Sequence, residues 1–213
     1  MEGGTHLQLS VVVPVYGCRG CVEPLHSRLI AVFDQMGISA EVVLVDDRSP
    51  DGSWELVESI ARRDPRTVAI RLSRNFGQHA AITAGLERAR GERVVVMDCD
   101  LQDPPEEIPR LYAKALEGYE IVYARRRRTG TPLLRRATAR LYFKLMNVFA
   151  KASFDQAGSF SIISRQVVEE FLRFKDRSRH YILILHWLGF ANATIDYEQV
   201  GRHEGSSSYG FRG

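Results

Sequence analysis

Long apolar runs are missing from this sequence. The longest, Tyr181 to Ile195, is shorter than a bilayer span and is interrupted by His186, Gly189 and Asn192, so it reads as a buried helix followed by a strand. The N-terminus, Met1-Glu-Gly-Gly-Thr-His6, lacks a basic region followed by an apolar stretch, which argues against a cleaved signal peptide and implies a cytosolic face. Cysteine is scarce too. Three residues leave no even disulfide framework, and Cys18-Arg-Gly-Cys21 has neither a second pair nor nearby histidines to complete a four-ligand zinc site. A thioredoxin-type redox role suits its position between a strand and a helix, but nothing else in the chain supports it. No GxGxxG fingerprint follows the first strand, which removes Rossmann-type phosphate binding.

Low-complexity tracts, repeats and Gly/Ser linkers are absent as well, so the 213 residues read as one domain able to bury a sizeable core. A content of 45% hydrophobic and 26% charged residues is that of a folded chain. Net charge is only +3, yet basic residues gather at Arg125 to Arg128, followed by Arg135, Arg136, Arg140 and Lys144. Unless this is merely a solvated face, such a stretch calls for phosphates of a nucleotide or a lipid headgroup.

What is present alternates. Gln8–Val15 is a β-branched run closing at Pro14-Val-Tyr16-Gly17, and the apolar residues from Val22 to Met36 recur at helical spacing. Glu41–Val45 repeats the strand pattern and stops at Asp46-Asp47-Arg-Ser49-Pro50-Asp51-Gly52-Ser53, where Ser53 is placed to cap the next helix. Val68–Leu72, Gln78–Ala89 and Arg93–Met97 continue the series, and Leu133–Phe149 is a helical segment opening a less regular second half. Strands apolar on both faces and separated by helices predict βαβ units in a mostly parallel, Rossmann-like sheet flanked by helices. The polar loops all follow strands, at the carboxyl edge where open parallel sheets bind ligands.

Acidic groups are concentrated at Met97-Asp98-Cys99-Asp100-Leu101-Gln102-Asp103-Pro104-Pro105. Asp98 and Asp100 would repel unless a cation lay between them, and hard oxygen ligands suit magnesium or manganese, with Gln102 offering a third oxygen. Asp103 reads as a turn or cap residue, with the prolines starting a helix. As acid and base of a hydrolase, Asp98 and Asp100 fail on geometry, because side chains two apart on a strand point the same way.

The series VVVPVYG at 11–17, VDDRSPDGS at 45–53, RNFGQHAAITAG at 74–85 and MDCDLQDPPEEIP at 97–109 resembles the family-two inverting glycosyltransferases. Within them it is similar to the polyprenyl-phosphate sugar transferases, the group containing dolichol-phosphate mannose synthase and bacterial undecaprenyl-phosphate glucosyltransferases. GSFSIISR at 158–165 and Arg202-His-Glu-Gly205-Ser-Ser207-Ser-Tyr209 extend the likeness over nearly the whole chain. The resemblance implies a GT-A fold and transfer of a sugar from a UDP- or GDP-sugar to a polyprenyl phosphate in cell-envelope synthesis. Pro14, Tyr16 and Asp46 would hold the nucleoside, and Asp98, Cys99 and Asp100 would line the donor site. Asp98, Asp100 and Gln102 would carry Mg2+ or Mn2+, and Arg125 would contact donor phosphate. Arg202 would reach the donor or the lipid phosphate, and Ser207 would meet the acceptor phosphate.

Two positions depart from the family pattern. Ser208 replaces a common lysine, and Ser159 replaces a common acidic residue, which leaves Asp155 as the nearest carboxylate. Residues 1–130 are expected to bind the donor and 131–213 the acceptor. Many relatives continue into membrane helices, so the chain is expected to act at the cytoplasmic face of a membrane, peripherally or anchored by segments absent here; no nucleic-acid partner is expected.

A sugar-hydroxyl acceptor would need a general base, for which Asp155 is the candidate. A lipid phosphate is already ionised and instead needs cations, such as Arg202, to hold two anions together. Two other readings stay open: a soluble transferase acting on a sugar or protein hydroxyl, and a nucleotide-binding module without catalysis.

Overall fold

The computed structural model describes residues 7–127, 159–174 and 179–198. In chain order it runs β1 (Leu9–Val15), α1 (Arg19–Met36), β2 (Ala40–Asp46), α2 (Ser53–Arg63), β3 (Thr67–Arg71), α3 (Gln78–Arg88) and β4 (Arg93–Val96). A 3-10 turn at Pro105–Glu107 leads into α4 (Ile108–Leu116) and β5 (Ile121–Arg127). Then come β6 (Ser161–Ser164), α5 (Arg165–Arg173), α6 (Tyr181–Leu188) and β7 (Asn192–Glu198). The helical expectation for Leu133–Phe149 lies outside the described residues.

The strands form a seven-stranded sheet in the order β3-β2-β1-β4-β6-β5-β7. β1 pairs in parallel with β2 and β4, β2 with β3, and β5 with β7. Among the described residues only β6 is reversed, antiparallel to both β4 and β5. The expected mostly parallel sheet is therefore present with one inverted strand, for which the β-branched run at 161–164 carries no directional signal.

Side-chain alternation sorts the core onto the two faces of the sheet. Val11, Val13 and Val15 pack with Leu25, Leu29 and Phe33 of α1, Val57 and Ile60 of α2, and Ile108 and Leu111 of α4. Val12, Val43 and Val45 pack with Ala81, Ile82 and Leu86 of α3, Val167 and Phe171 of α5, and Tyr181 and Leu185 of α6. Covering on both faces is why β1 and β2 read as unbroken apolar runs. α3 lies so close to the sheet that a Cβ on Gly85 would come within 2.3 Å of Val12 Cγ1.

Two local expectations need correction. Ser53 does not cap α2 but is its first helical residue; Asp51 Oδ1 accepts both its backbone N–H at 3.1 Å and its hydroxyl at 2.5 Å. An aspartate two residues upstream satisfies the orphan donor better than the serine can itself. The 181–195 run is a helix followed by a strand as expected, but the helix is only half buried, with Leu183 and Trp187 facing outward at 42% and 74% exposure. Among the described residues no helix is long and apolar enough to cross a membrane.

Candidate active site

Because β1, β2 and β4 are parallel neighbours, their carboxyl ends bring the three polar loops to one edge. Val15 is in register with Asp46, and the Asp47 N–H donates to the Val15 carbonyl at 2.9 Å. The loop after β2 is tied down by its own polar side chains. Asp46 Oδ1 accepts the Ser49 N–H at 3.1 Å, Ser49 Oγ accepts the Gly17 N–H at 3.3 Å, and Asp51 Oδ2 accepts the Arg19 N–H at 3.0 Å. Asp47 reaches across to the loop before α3, its two oxygens taking the N–H groups of Phe76 and Gly77 at 2.7 and 2.8 Å.

Asp46 is fully buried. Its Oδ2 has no hydrogen-bond partner and lies 3.4 Å from Arg71 Nε. An unsatisfied buried carboxylate oxygen is costly and marks a place where a ligand donor would be welcome. Pro14 is buried at the end of β1, and Tyr16 beside it is 46% exposed.

The acidic loop follows β4. Asp98 Oδ1 accepts two hydrogen bonds at 2.6 Å, from Gln78 Nε2 at the start of α3 and from Ser159 Oγ just before β6. Burial pushes the Asp98 carboxyl up to about 6, the Ser159 bond opposing and the charges of Asp103 and Asp100 adding to the rise. Asp100 Oδ1 accepts the Gln102 N–H at 3.1 Å, closing a small turn, and Leu101 between them has a left-handed φ of 61°.

The sequence profile of glycosyl transferase family 2 matches residues 10–172. The chain belongs to glycosyl transferase family 2. An undecaprenyl-phosphate 4-deoxy-4-formamido-L-arabinose transferase of Shewanella sediminis is 39% identical over 205 residues, covering 95% of this chain and 62% of the relative. The uncharacterized glycosyltransferase YkcC of Bacillus subtilis is 36% identical over 206 residues, covering 96% and 64%. The chain thus spans less than two thirds of the length of these relatives.

The fold is that of GT-A glycosyltransferases. A Pyrobaculum calidifontis mannosyltransferase solved with GDP-Man and Mn2+ superposes with a TM-score of 0.64 at 19% identity, over 95% of this chain and 59% of that one. Glucosyl-3-phosphoglycerate synthase of Mycobacterium tuberculosis, solved with Mn2+, UDP and glucosyl-3-phosphoglycerate, gives 0.63 at 19% identity, over 93% and 73%.

In this family 2 chain the donor set at Asp98 and Asp100 fits a hard divalent cation. Among the described residues no three His, Cys, Asp or Glu side chains gather as a metal site. Gln102 is turned elsewhere: its Oε1 accepts Arg126 Nη1 at 3.1 Å.

Asp103 is neither a turn nor a cap residue. Fully buried, it accepts from Arg126 Nε at 3.0 Å and from the Tyr197 hydroxyl, with Arg126 Nη2 at ion-pair distance, 2.8 Å from Oδ1. The reading as a cap misses this because Arg126 and Tyr197 come from β5 and β7, distant in sequence. Arg125, the expected donor-phosphate contact, is bound by Asp196, Nε to Oδ1 at 2.6 Å and Nη2 to Oδ2 at 3.2 Å.

The cysteines do pair. Cys18 and Cys99 form a disulfide across 81 residues, a pairing not foreseen from three cysteines that leave no even framework; Cys21 lies outside the bridge and is buried. Cys99 therefore stands in the donor loop as half of a bridge. Asp155, Arg202 and Ser207, and the basic residues from Arg128 to Lys144, lie outside the described residues. Sequence reasoning missed Gln78, Ser159 and Arg126 as supports of the acidic loop. The signals were there, in the quoted 74–85 motif, in the departure at Ser159 and in the arginine run.

Proposed function

We propose that this family 2 chain is the catalytic domain of an inverting glycosyltransferase that moves a sugar from a UDP- or GDP-sugar to polyprenyl phosphate at the cytoplasmic face of a membrane. The observation that carries the donor half of this reading is the strand-end pair Asp98 and Asp100, with Asp98 oriented through one oxygen by Gln78 and Ser159. The acceptor half is supported by relatives named undecaprenyl-phosphate sugar transferases, alike over 95% of the chain, and by the basic residues of the second half.

In this reading Asp98 and Asp100 hold Mg2+ or Mn2+, which when bound would stabilise charge developing on the leaving diphosphate. Tyr16 and Pro14 flank the nucleoside, and the unsatisfied oxygen of Asp46 takes a donor from base or ribose. Arg125 exchanges Asp196 for donor phosphate. Gln102 joins the cation only by leaving Arg126. Residues 131–213 bind the acceptor, whose phosphate meets Arg202 and Ser207. A phosphate nucleophile is ionised at neutral pH, so Asp155 orients groups and abstracts no proton. Cationic side chains that hold two anionic phosphates together then account for much of the rate.

The test is a screen of UDP- and GDP-sugars with Mg2+ or Mn2+, with and without polyprenyl phosphate. Nucleoside diphosphate release that requires both metal and lipid phosphate is expected. Turnover indifferent to the lipid but dependent on a sugar or protein hydroxyl would overturn the acceptor assignment.

A further inference from the structure

The cysteine pair is not used by the donor chemistry just described, yet it lies inside the donor edge. Cys99 stands between Asp98 and Asp100, and Cys18 precedes α1, two residues after Tyr16. The last ladder contact between β4 and β1 is the Met97 N–H to the Val12 carbonyl at 3.2 Å. Past that point β4 gives way to the acidic loop while β1 runs on beside β2 to Val15, and the bridge ties the acidic loop to the segment that follows β1. Two residues after Cys99, Leu101 holds a left-handed backbone at φ 61° while 4% exposed. A non-glycine residue keeps that conformation only where its surroundings enforce it.

We propose that the Cys18–Cys99 bridge is a redox-modifiable site, whose opening by thiol–disulfide exchange weakens the hold of the donor edge on divalent metal and nucleoside diphosphate. This rests on the reading of Asp98 and Asp100 as cation ligands. Cys18 is half-buried and Cys99 8% exposed, so an incoming thiolate meets the Cys18 sulfur first. It bonds to Cys18 Sγ as the bond to Cys99 Sγ breaks, and a second external thiolate then attacks the external sulfur of that mixed disulfide, forming the external disulfide and releasing the Cys18 thiolate. Two electrons and two protons end on the protein as two thiols, and the external partner, a small thiol or a dithiol protein, leaves as its disulfide. In a reducing compartment a bridge of this kind is transient and sensing.

The direction of the effect follows from ordering. With the bridge closed, the loop bearing both carboxylates is pinned to the loop bearing Tyr16, so a ligand binds a loop already in place. With the bridge open, binding must also order the loop, and affinity falls. Linkage requires the reciprocal effect: ligands that prefer the closed form raise its resistance to reduction by the same factor.

The experiment compares the oxidised chain with the chain reduced by dithiothreitol and desalted anaerobically. Mn2+ binding is read by electron paramagnetic resonance, and UDP and GDP binding by calorimetry in the presence of Mn2+. Reduction should raise the dissociation constants about fivefold or more. Cys18→Ser should bind like the reduced chain whatever the redox state, while Cys21→Ala, outside the bridge, should keep the response. Equilibrated against a glutathione couple, the oxidised fraction should rise when Mn2+ and UDP are added. Equal affinities in the two redox forms, or a response that survives in Cys18→Ser, would overturn the proposal. If neither form binds Mn2+ or nucleotide, the donor-site reading itself fails and this one falls with it.

Discussion

Asp98 shows how much one side chain's surroundings decide. Its folded pKa is raised above the ordinary 3.8, to about 6. Between those values the folded chain holds a proton that the unfolded chain has released, so this group favours folding at the acid end and that contribution is lost as pH rises through 6. In the proposed function a divalent cation at Asp98 takes the place of the proton. Mn2+ should therefore raise the melting temperature more at pH 7 than at pH 5, and an equal rise at both would remove Asp98 from the cation site. Its two supports are testable separately. Gln78→Ala or Ser159→Ala should weaken Mn2+ binding roughly 10- to 100-fold, the usual cost of losing a group that orients a metal ligand. Ser159→Asp should place a like charge against Asp98 and raise its pKa further, which NMR titration of the carboxyl would detect.

Among the elements, α3 is held at two points. Its first residue carries the Gln78 contact to Asp98, and Gly85 sets how near the helix lies to β1 and β2. Gly85→Ala gains about 1 kcal/mol of helix propensity. The new Cβ, however, would lie 2.3 Å from Val12 Cγ1 and 3.2 Å from Val45 Cγ2, and overpacking of that kind costs about 1–3 kcal/mol. The contact should win, giving a net loss of stability seen as a lower denaturant midpoint, and donor binding should weaken with it because Gln78 moves with the helix. A stabilised variant with unchanged donor affinity would show that α3 is freer to shift than its packing indicates.

At the scale of the whole molecule, the proposal that residues 131–213 bind the acceptor yields the sharpest test. With polyprenyl phosphate as acceptor, Arg202→Ala should lower turnover on the order of a hundredfold or more, as expected for loss of one charge-stabilising donor. Asp155→Asn should cost less and should leave the acidic limb of the pH profile in place, because no proton has to be abstracted. A larger loss for Asp155→Asn together with loss of that limb would point to a base-assisted hydroxyl acceptor.

Local pattern by itself determined the alternation of β1 to β4 with their helices, the mostly parallel sheet and the strand-end placement of Asp46, Asp98 and Asp100. Burial on both faces and the spacing of apolar residues are legible one segment at a time. Resemblance, resting on motifs and not on spacing, added the family and the GT-A fold. Only the tertiary structure decided the inverted β6, the pairing of Cys18 with Cys99 and the burial of Asp103 against Arg126 and Tyr197. It also turned Gln78 and Ser159 onto Asp98. These partners are 20 to 94 residues apart. Contacts of that range depend on how the sheet orders its strands, which no short window of the chain encodes.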